Sequence, residues 1–137
     1  FGYEPGQGPR YAATAAGMLA MLVCGRYEHD QVAAAARIGA DIIELHTGTY
    51  CDAHAEGRFD DRDTELARLT EMAAVAADLG LEVHAGHGLT YDCVTPIAAL
   101  PQVAELNIGH FLIGEAIFQG LQPAIHQMRD IMNAARA

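Results

Sequence analysis

The chain contains no lysine, so all eight of its basic residues are arginine. Without lysine, these 137 residues provide neither a Schiff-base nucleophile nor the lysine of a phosphate-binding loop. A basic cluster is also missing, and the formal net charge is −10. This charge balance argues against nucleic acid or an anionic membrane surface as a partner.

Cysteine is scarce as well. Cys24, Cys51 and Cys93 are widely spaced, and no Cys-x-x-Cys segment is present. This usage favours a reduced cytoplasmic protein with small buried thiols. Hydrophobic residues make up 51% of the chain, which is enough to bury a core.

Strand-like and helix-like segments alternate along the sequence. Strands are predicted at 41–46, 81–85 and 103–108, helices at 31–37, 60–79, 92–100, 110–118 and 121–135, and a loop at 47–59. The apolar segment 11–24 is either a strand or a helix, and a strand at 18–24 would begin a fourth βα unit. The alternation predicts an α/β fold with parallel strands and right-handed crossovers. A dinucleotide-binding fold is disfavoured because the Gly86-His87-Gly88 turn lacks the third glycine of the Gly-x-Gly-x-x-Gly fingerprint.

Polar residues follow the carboxyl ends of three predicted strands. Glu44 and His46 end the first, His87 follows the second, and Gly109 with His110 follows the third. In β/α barrels, functional residues lie at this end of the strands. A closed eight-stranded barrel requires roughly twice this length, so we predict half of a TIM-type barrel with three to four βα units.

Glu44 lies within the apolar segment DIIELH, on the same face of the strand as Ile42 and His46. Burying a carboxylate without a partner is costly. Two interpretations remain: a structural glutamate paired with a neighbour, with His46 as its support, or an active-site carboxylate that points into a barrel mouth.

His87 lies between two glycines, which let the backbone bend and approach a ligand closely. A histidine at a strand end is suited to general acid–base catalysis, although it can equally be a turn residue that faces water. A metal site formed with His84 and His110 is a minor alternative. His84 and His87 point to roughly opposite faces, so we expect no metal.

The segment Asn107-Ile108-Gly109-His110 opens a predicted helix. The backbone N–H groups at a helix N-terminus favour an anion. Gly109 and His110 are therefore candidates for a phosphate site, and a plain glycine turn is the alternative.

Taken together, these motifs resemble the pyridoxine 5′-phosphate synthase family. The resemblance covers residues 30–137 and depends on IELHTG (43–48), LGL (79–81), AGHGLTY (85–91), ELNIGH (105–110) and IG (113–114). It implies that residues 30–137 form the C-terminal half of that family's TIM-type barrel. Residues 1–29 show no such match, so we predict a partial barrel domain at 30–137.

The resemblance implies the condensation of 1-deoxy-D-xylulose 5-phosphate with 3-amino-2-oxopropyl phosphate to pyridoxine 5′-phosphate, without a metal or organic cofactor. It implies that His87 is the proton donor and that Glu44 stabilises the transition state. Gly88, Gly109 and His110 would bind the phosphorylated substrate. Full-length members of the family are usually homo-octamers, so a homo-oligomer is expected.

Several family motifs are missing from this chain: an Asn-x-Asp-His segment, a His-x-Arg segment and a second catalytic glutamate. The segment 21–28 also differs from the family's Ser-x-Phe-x-Asp strand end. We therefore expect a fragment or disrupted gene product that is inactive alone. An open half-barrel would expose an apolar sheet edge and face. The alternatives are a non-catalytic half-barrel that self-associates and keeps a weak phosphate site, and a metal-dependent barrel hydrolase.

Overall fold

The computed structural model describes residues 29–137. The apolar segment 11–24, which includes Cys24 and was expected to be a strand or a helix, lies outside the described residues. The described elements are, in order, α1 (His29–Arg37), β1 (Ile42–His46), α2 (Gly48–Ala55), α3 (Phe59–Asp78), β2 (Glu82–Gly86), α4 (Val94–Ala98), β3 (Val103–Asn107), α5 (His110–Gln119) and α6 (Leu121–Ala134).

The three described strands form one parallel sheet in the order β1-β2-β3, which is also their order along the chain. Each strand is followed by one or two helices, as predicted from the alternating pattern. The described residues therefore contain three βα units, and the α/β fold class is confirmed.

One face of the sheet packs against helices and forms the core. Ile43 and Leu45 of β1 and Val83 and Ala85 of β2 are buried on this face. From α3, it is covered by Leu69, Met72, Ala73 and Ala76, which recur at helical spacing. Burial of this stripe explains why α3 forms where the sequence predicted a helix.

The opposite face of the sheet is polar, and the expectation of an apolar open face was wrong. The register aligns Glu44, His84 and Glu105 in one row across the sheet. His84 lies 2.7 Å from a carboxylate oxygen of Glu82 and 4.0 Å from one of Glu105. Because strand side chains alternate between faces, the charged residues of these strands all lie on this side.

The loop predicted at 47–59 contains the helix α2, so that prediction was wrong. Glycine, threonine and aspartate give this segment little intrinsic helix propensity. Tertiary packing decides the outcome instead. Tyr50 is only 1% exposed, and its hydroxyl donates a hydrogen bond to the carbonyl oxygen of Cys93 at 2.9 Å. Burial raises the pKa of Tyr50 to about 12.

Among residues 29–137, no helix is both long enough and apolar enough to cross a membrane.

Candidate active site

A cavity of about 420 Å³ lies where the carboxyl ends of the strands meet the following loops. All five candidate site residues line it: Glu44, His87, Gly88, Gly109 and His110. The other lining residues are Leu89, Thr90, Asn107, Ile108 and Phe111. Residues from three separate βα units thus surround one space of the size that small-molecule sites usually have.

Glu44 accepts a hydrogen bond from the side-chain amide of Asn107, with 2.8 Å between Oε2 and Nδ2. The two residues lie on β1 and β3, at the two edges of the described sheet. Their contact spans the strand between them, and it holds the carboxylate at the cavity wall.

Gly86 makes this contact possible. A Cβ atom at this position would lie 2.7 Å from the carbonyl oxygen of Asn107 and 2.8 Å from Oε1 of Glu44. Any larger residue would therefore displace one of them. Glycine at position 86 therefore allows Glu44 and Asn107 to approach the β2 backbone closely.

His87 has a left-handed backbone conformation, with φ of 81°. It is the only described residue other than glycine with a positive φ. Gly88, with φ of 81°, continues the turn. For a residue with a side chain this conformation is strained, and such strain is common at functional sites.

Thr47 holds the backbone of the His87 turn through hydrogen bonds. Its side chain is fully buried, and its hydroxyl lies 2.8 Å from the carbonyl oxygen of Gly86 and 2.6 Å from that of His87. Its backbone N–H also donates to the Gly86 oxygen at 2.7 Å. These bonds compensate for the strain at His87 by holding two successive carbonyl groups in place.

The imidazole ring of His46 is stacked on that of His87, with 4.2 Å between centroids. Nδ1 of His46 accepts a hydrogen bond from the backbone N–H of Gly48 at 3.3 Å. Burial lowers the pKa of His46, and the nearby His87 lowers it further. His46 therefore favours its neutral form.

The N-terminus of α5 also borders the cavity. Gly109 is the N-cap, and His110 begins the helix. No acidic residue lies in the first turn, and no side chain caps it. The first backbone N–H groups and the partial positive charge of the helix end are thus available to an anion.

Two buried thiols lie behind the His87 turn. The sulfur atoms of Cys51 and Cys93 are 3.8 Å apart. The hydrogen bond with Cys93 and burial together raise the pKa of Cys51. Hydrogen bonds from Cys51 and Thr90 lower the pKa of Cys93 because they stabilise its thiolate.

Within residues 29–137, no group of three or more histidine, cysteine or acidic side chains is placed to hold a metal ion. His84 does not line the cavity that contains His87 and His110. It lies between acidic side chains on the polar face of the sheet.

Two residues of the site, Asn107 and Thr47, were not expected from the sequence. Asn107 follows the same pattern as Glu44, a polar side chain near the carboxyl end of a strand, so its position could have been predicted. The role of Thr47 could not, because its hydrogen bonds join residues about forty positions apart in the chain.

The chain is similar to proteins of vitamin B6 biosynthesis. The family described as "Pyridoxal phosphate biosynthesis protein PdxJ" matches residues 13–134. A pyridoxine 5′-phosphate synthase from Roseobacter denitrificans is 72% identical over 110 residues, which is 80% of this chain and 44% of that protein. The enzyme of the same name from Ruegeria pomeroyi is 72% identical over 107 residues, 78% of this chain and 43% of its own length.

A third relative with this name, from a Jannaschia species, is 66% identical over 109 residues. These residues are 80% of this chain and 44% of the relative. The chain thus spans less than half the length of the curated relatives it matches.

Proposed function

The chain belongs to the PdxJ family of pyridoxal phosphate biosynthesis proteins, and on that premise we propose that it contributes the C-terminal half of a pyridoxine 5′-phosphate synthase site. The main support is the convergence of Glu44, His87, Gly88, Gly109 and His110 on one cavity. These residues come from three βα units.

The proposed reaction condenses 1-deoxy-D-xylulose 5-phosphate with 3-amino-2-oxopropyl phosphate and releases phosphate and water. The absence of lysine fits this chemistry, because the imine forms between the two substrates and needs no enzyme amine. Closing an aromatic ring in this way requires several proton transfers. A histidine and a carboxylate in one cavity are suited to them.

His87 is the proposed proton donor. Its side chain lines the cavity on a turn that Thr47 and two glycines hold in a strained conformation. An imidazole titrates close to neutral pH and can both give and take a proton there. Glu44, held by Asn107, is the proposed carboxylate that stabilises the transition state.

The substrate phosphate is proposed to bind at Gly109 and His110. The helix N-terminus offers backbone N–H groups, and His110 adds a side chain that can donate a hydrogen bond. Gly109 has open space where a Cβ would be, so a ligand can approach the backbone directly. Gly88, which also lines the cavity, is the proposed second backbone contact.

We also propose that residues 30–137 form half of a TIM-type barrel and that this half is inactive alone. The strand order and the polar face, which would line a barrel interior, are consistent with this architecture. The other catalytic groups that the family resemblance implies are missing from this sequence. A site with half of its groups lacks both a complete cavity and the second carboxylate.

The first experiment is an assay of synthase turnover with both phosphorylated substrates. It compares the purified chain with its His87→Ala variant. No turnover in either protein is the expected result. Turnover by the unmodified chain that is lost in the variant would mean that the chain assembles into a working site, and the proposed inactivity would be wrong.

Substrate binding tests the site independently of turnover. 3-Amino-2-oxopropyl phosphate should shift the NMR signals of the Gly109 amide and the His110 ring. A His87→Asn variant is the matched control, because asparagine tolerates a left-handed backbone better than alanine does. It should keep the fold and the phosphate shifts. If signals far from the cavity shift instead, the assigned site is wrong.

A non-catalytic half-barrel that self-associates is the second candidate. Ile113, Ile117, Phe118 and Leu121 are exposed and recur along α5 and the start of α6. Such a continuous apolar surface is typical of an interaction site. Sedimentation should then show an oligomer that dissociates in an Ile117→Glu/Phe118→Glu variant. A matched Thr95→Glu change on the exposed side of α4 should have no effect, and a monomer at all concentrations would exclude this candidate.

A further inference from the structure

Two buried thiols, Cys51 and Cys93, lie against the turn that carries His87. Cys51 belongs to α2, and Cys93 immediately precedes α4, so the pair joins two βα units. Their sulfur atoms are 3.8 Å apart, whereas a disulfide requires about 2.05 Å. A small movement of either side chain would bring them within bonding distance.

Both sulfurs contact the turn that positions His87. The sulfur of Cys51 lies 3.7 Å from the carbonyl oxygen of His87. The sulfur of Cys93 accepts a hydrogen bond from the backbone N–H of Thr90 at 3.3 Å, and it lies 3.4 Å from the Thr90 hydroxyl. The two ends of the segment 87–90 are therefore each attached to one of the thiols.

Gly88 lies between the cavity and Cys51. A Cβ atom on Gly88 would lie 3.0 Å from Cβ of Cys51 and 3.4 Å from its sulfur. Because Gly88 also lines the cavity, the turn that borders the proposed site packs directly against one of the two thiols.

We propose that Cys51 and Cys93 form a redox-sensitive dithiol pair, which a hydroperoxide oxidises to a disulfide and which thereby controls the position of the His87 turn. This regulation concerns the site described above, so it rests on the proposed function.

The chemistry needs only the peroxide as co-reactant. The Cys93 thiolate attacks one peroxide oxygen, the O–O bond breaks, and hydroxide leaves and is protonated to water. The sulfur of Cys51 then attacks the resulting sulfenic acid, and the S–O bond breaks. The hydroxyl group leaves with the Cys51 proton as a second water. Two thiols lose two electrons in total, and one hydroperoxide group gains them.

Disulfide formation removes the contacts that hold the turn. A disulfide has no S–H to donate to the His87 carbonyl, and its sulfur is a much poorer acceptor for the Thr90 N–H than a thiolate. Closing the gap between the sulfurs also draws α2 and the start of α4 together beneath Gly88. The strained His87 turn then loses two of its supports and changes conformation.

The test uses the full chain with Cys24→Ser, so that only Cys51 and Cys93 remain. After treatment with hydrogen peroxide, intact-mass measurement should show the loss of two hydrogen atoms, and a reducing agent should restore them. The NMR signals of the His87 ring should shift on oxidation and return on reduction. Neither the mass measurement nor the NMR measurement requires synthase turnover. Both can therefore be interpreted even if the proposed function is wrong.

The Cys51→Ser and Cys93→Ala variants, each in the Cys24→Ser background, are the controls. Neither can form the disulfide. Cys93→Ala lacks the attacking thiolate, so its His87 signals should stay unchanged under the same peroxide treatment, and Cys51→Ser should lose no hydrogen atoms because its reaction stops at the sulfenic acid of Cys93. Three results would overturn the proposal: no reaction, a gain of oxygen atoms instead of the loss of hydrogens, or a disulfide that leaves the His87 signals in place.

Discussion

The imidazole ring of His46 is stacked on that of His87, with the two planes inclined by 25°. His46 accepts a hydrogen bond from Gly48 only when its Nδ1 is unprotonated. Burial first, and the neighbouring His87 second, lower the pKa of His46 below its ordinary value of 6.5. The neutral His46 ring thus packs against the ring of His87, the proposed proton donor, and limits its movement.

The lowered pKa predicts an acid-sensitive fold. Below about pH 6.5 the unfolded chain binds a proton at residue 46 before the folded chain does. The free energy of unfolding contributed by His46 is therefore fully present at higher pH and is lost as pH falls through the folded-state pKa. Urea denaturation at about pH 7.5 and about pH 5.5 measures this loss.

A His46→Asn variant should show a smaller drop in stability over that pH range, because asparagine does not titrate and still offers an acceptor to Gly48. His126→Asn is the matched control, since His126 is exposed on α6. Equal pH dependence in the unmodified chain and in His46→Asn would contradict the assignment of the drop to His46.

Gly86→Ala should destabilise the protein by about 1 to 3 kcal/mol, the usual cost of overpacking. The added methyl group would lie within 3 Å of both Glu44 and the Asn107 backbone, so it must separate β3 from the carboxylate. Gly114→Ala is the control because nothing lies within 4 Å of its Cβ position. Urea denaturation should show a loss for Gly86→Ala alone, and equal stability of the two variants would contradict the packing argument.

The sequence predicted the fold well where periodicity and turn residues agree. The helix α3 has apolar residues at helical spacing and ends before Gly80, and its structural bounds differ from the predicted ones by only one residue at each end. The segment 47–59 has neither signal, and α2 forms there because tertiary contacts of Tyr50 and Cys51 stabilise it. Local sequence does not contain that information.

The candidate site was predictable for a different reason. Parallel strands bring their carboxyl ends to one edge of the sheet, so Glu44, His87 and His110 could be expected near each other without coordinates. The stacking of His46 on His87 and the contact between Cys51 and Cys93 depend on helix placement. No spacing rule along the chain predicts such contacts.

Arg136 should be important for attaching the end of the chain to the sheet. Its guanidinium donates hydrogen bonds to the carbonyl oxygens of Ala98, Leu100 and Val103, with 2.7 Å to that of Ala98. Arg136→Ala leaves these carbonyl groups without their charged donor, so it should cost about 1.5 to 3 kcal/mol in urea denaturation. Arg129→Ala, an exposed arginine on α6, should change stability by less than about 0.5 kcal/mol. Equal effects would show that Arg136 is not a specific anchor.

Thr47→Val should loosen the His87 turn without changing the volume of the side chain. Valine cannot donate to the Gly86 and His87 carbonyl oxygens, so these groups lose a buried partner, at a cost of about 1 to 3 kcal/mol. Thr70→Val is the matched control, since Thr70 is exposed and its hydroxyl bonds to the preceding turn of its own helix. Amide hydrogen exchange near His87 should accelerate in Thr47→Val and not in Thr70→Val. If exchange at the turn stays unchanged while global stability falls, Thr47 supports the core and does not control the conformation of His87.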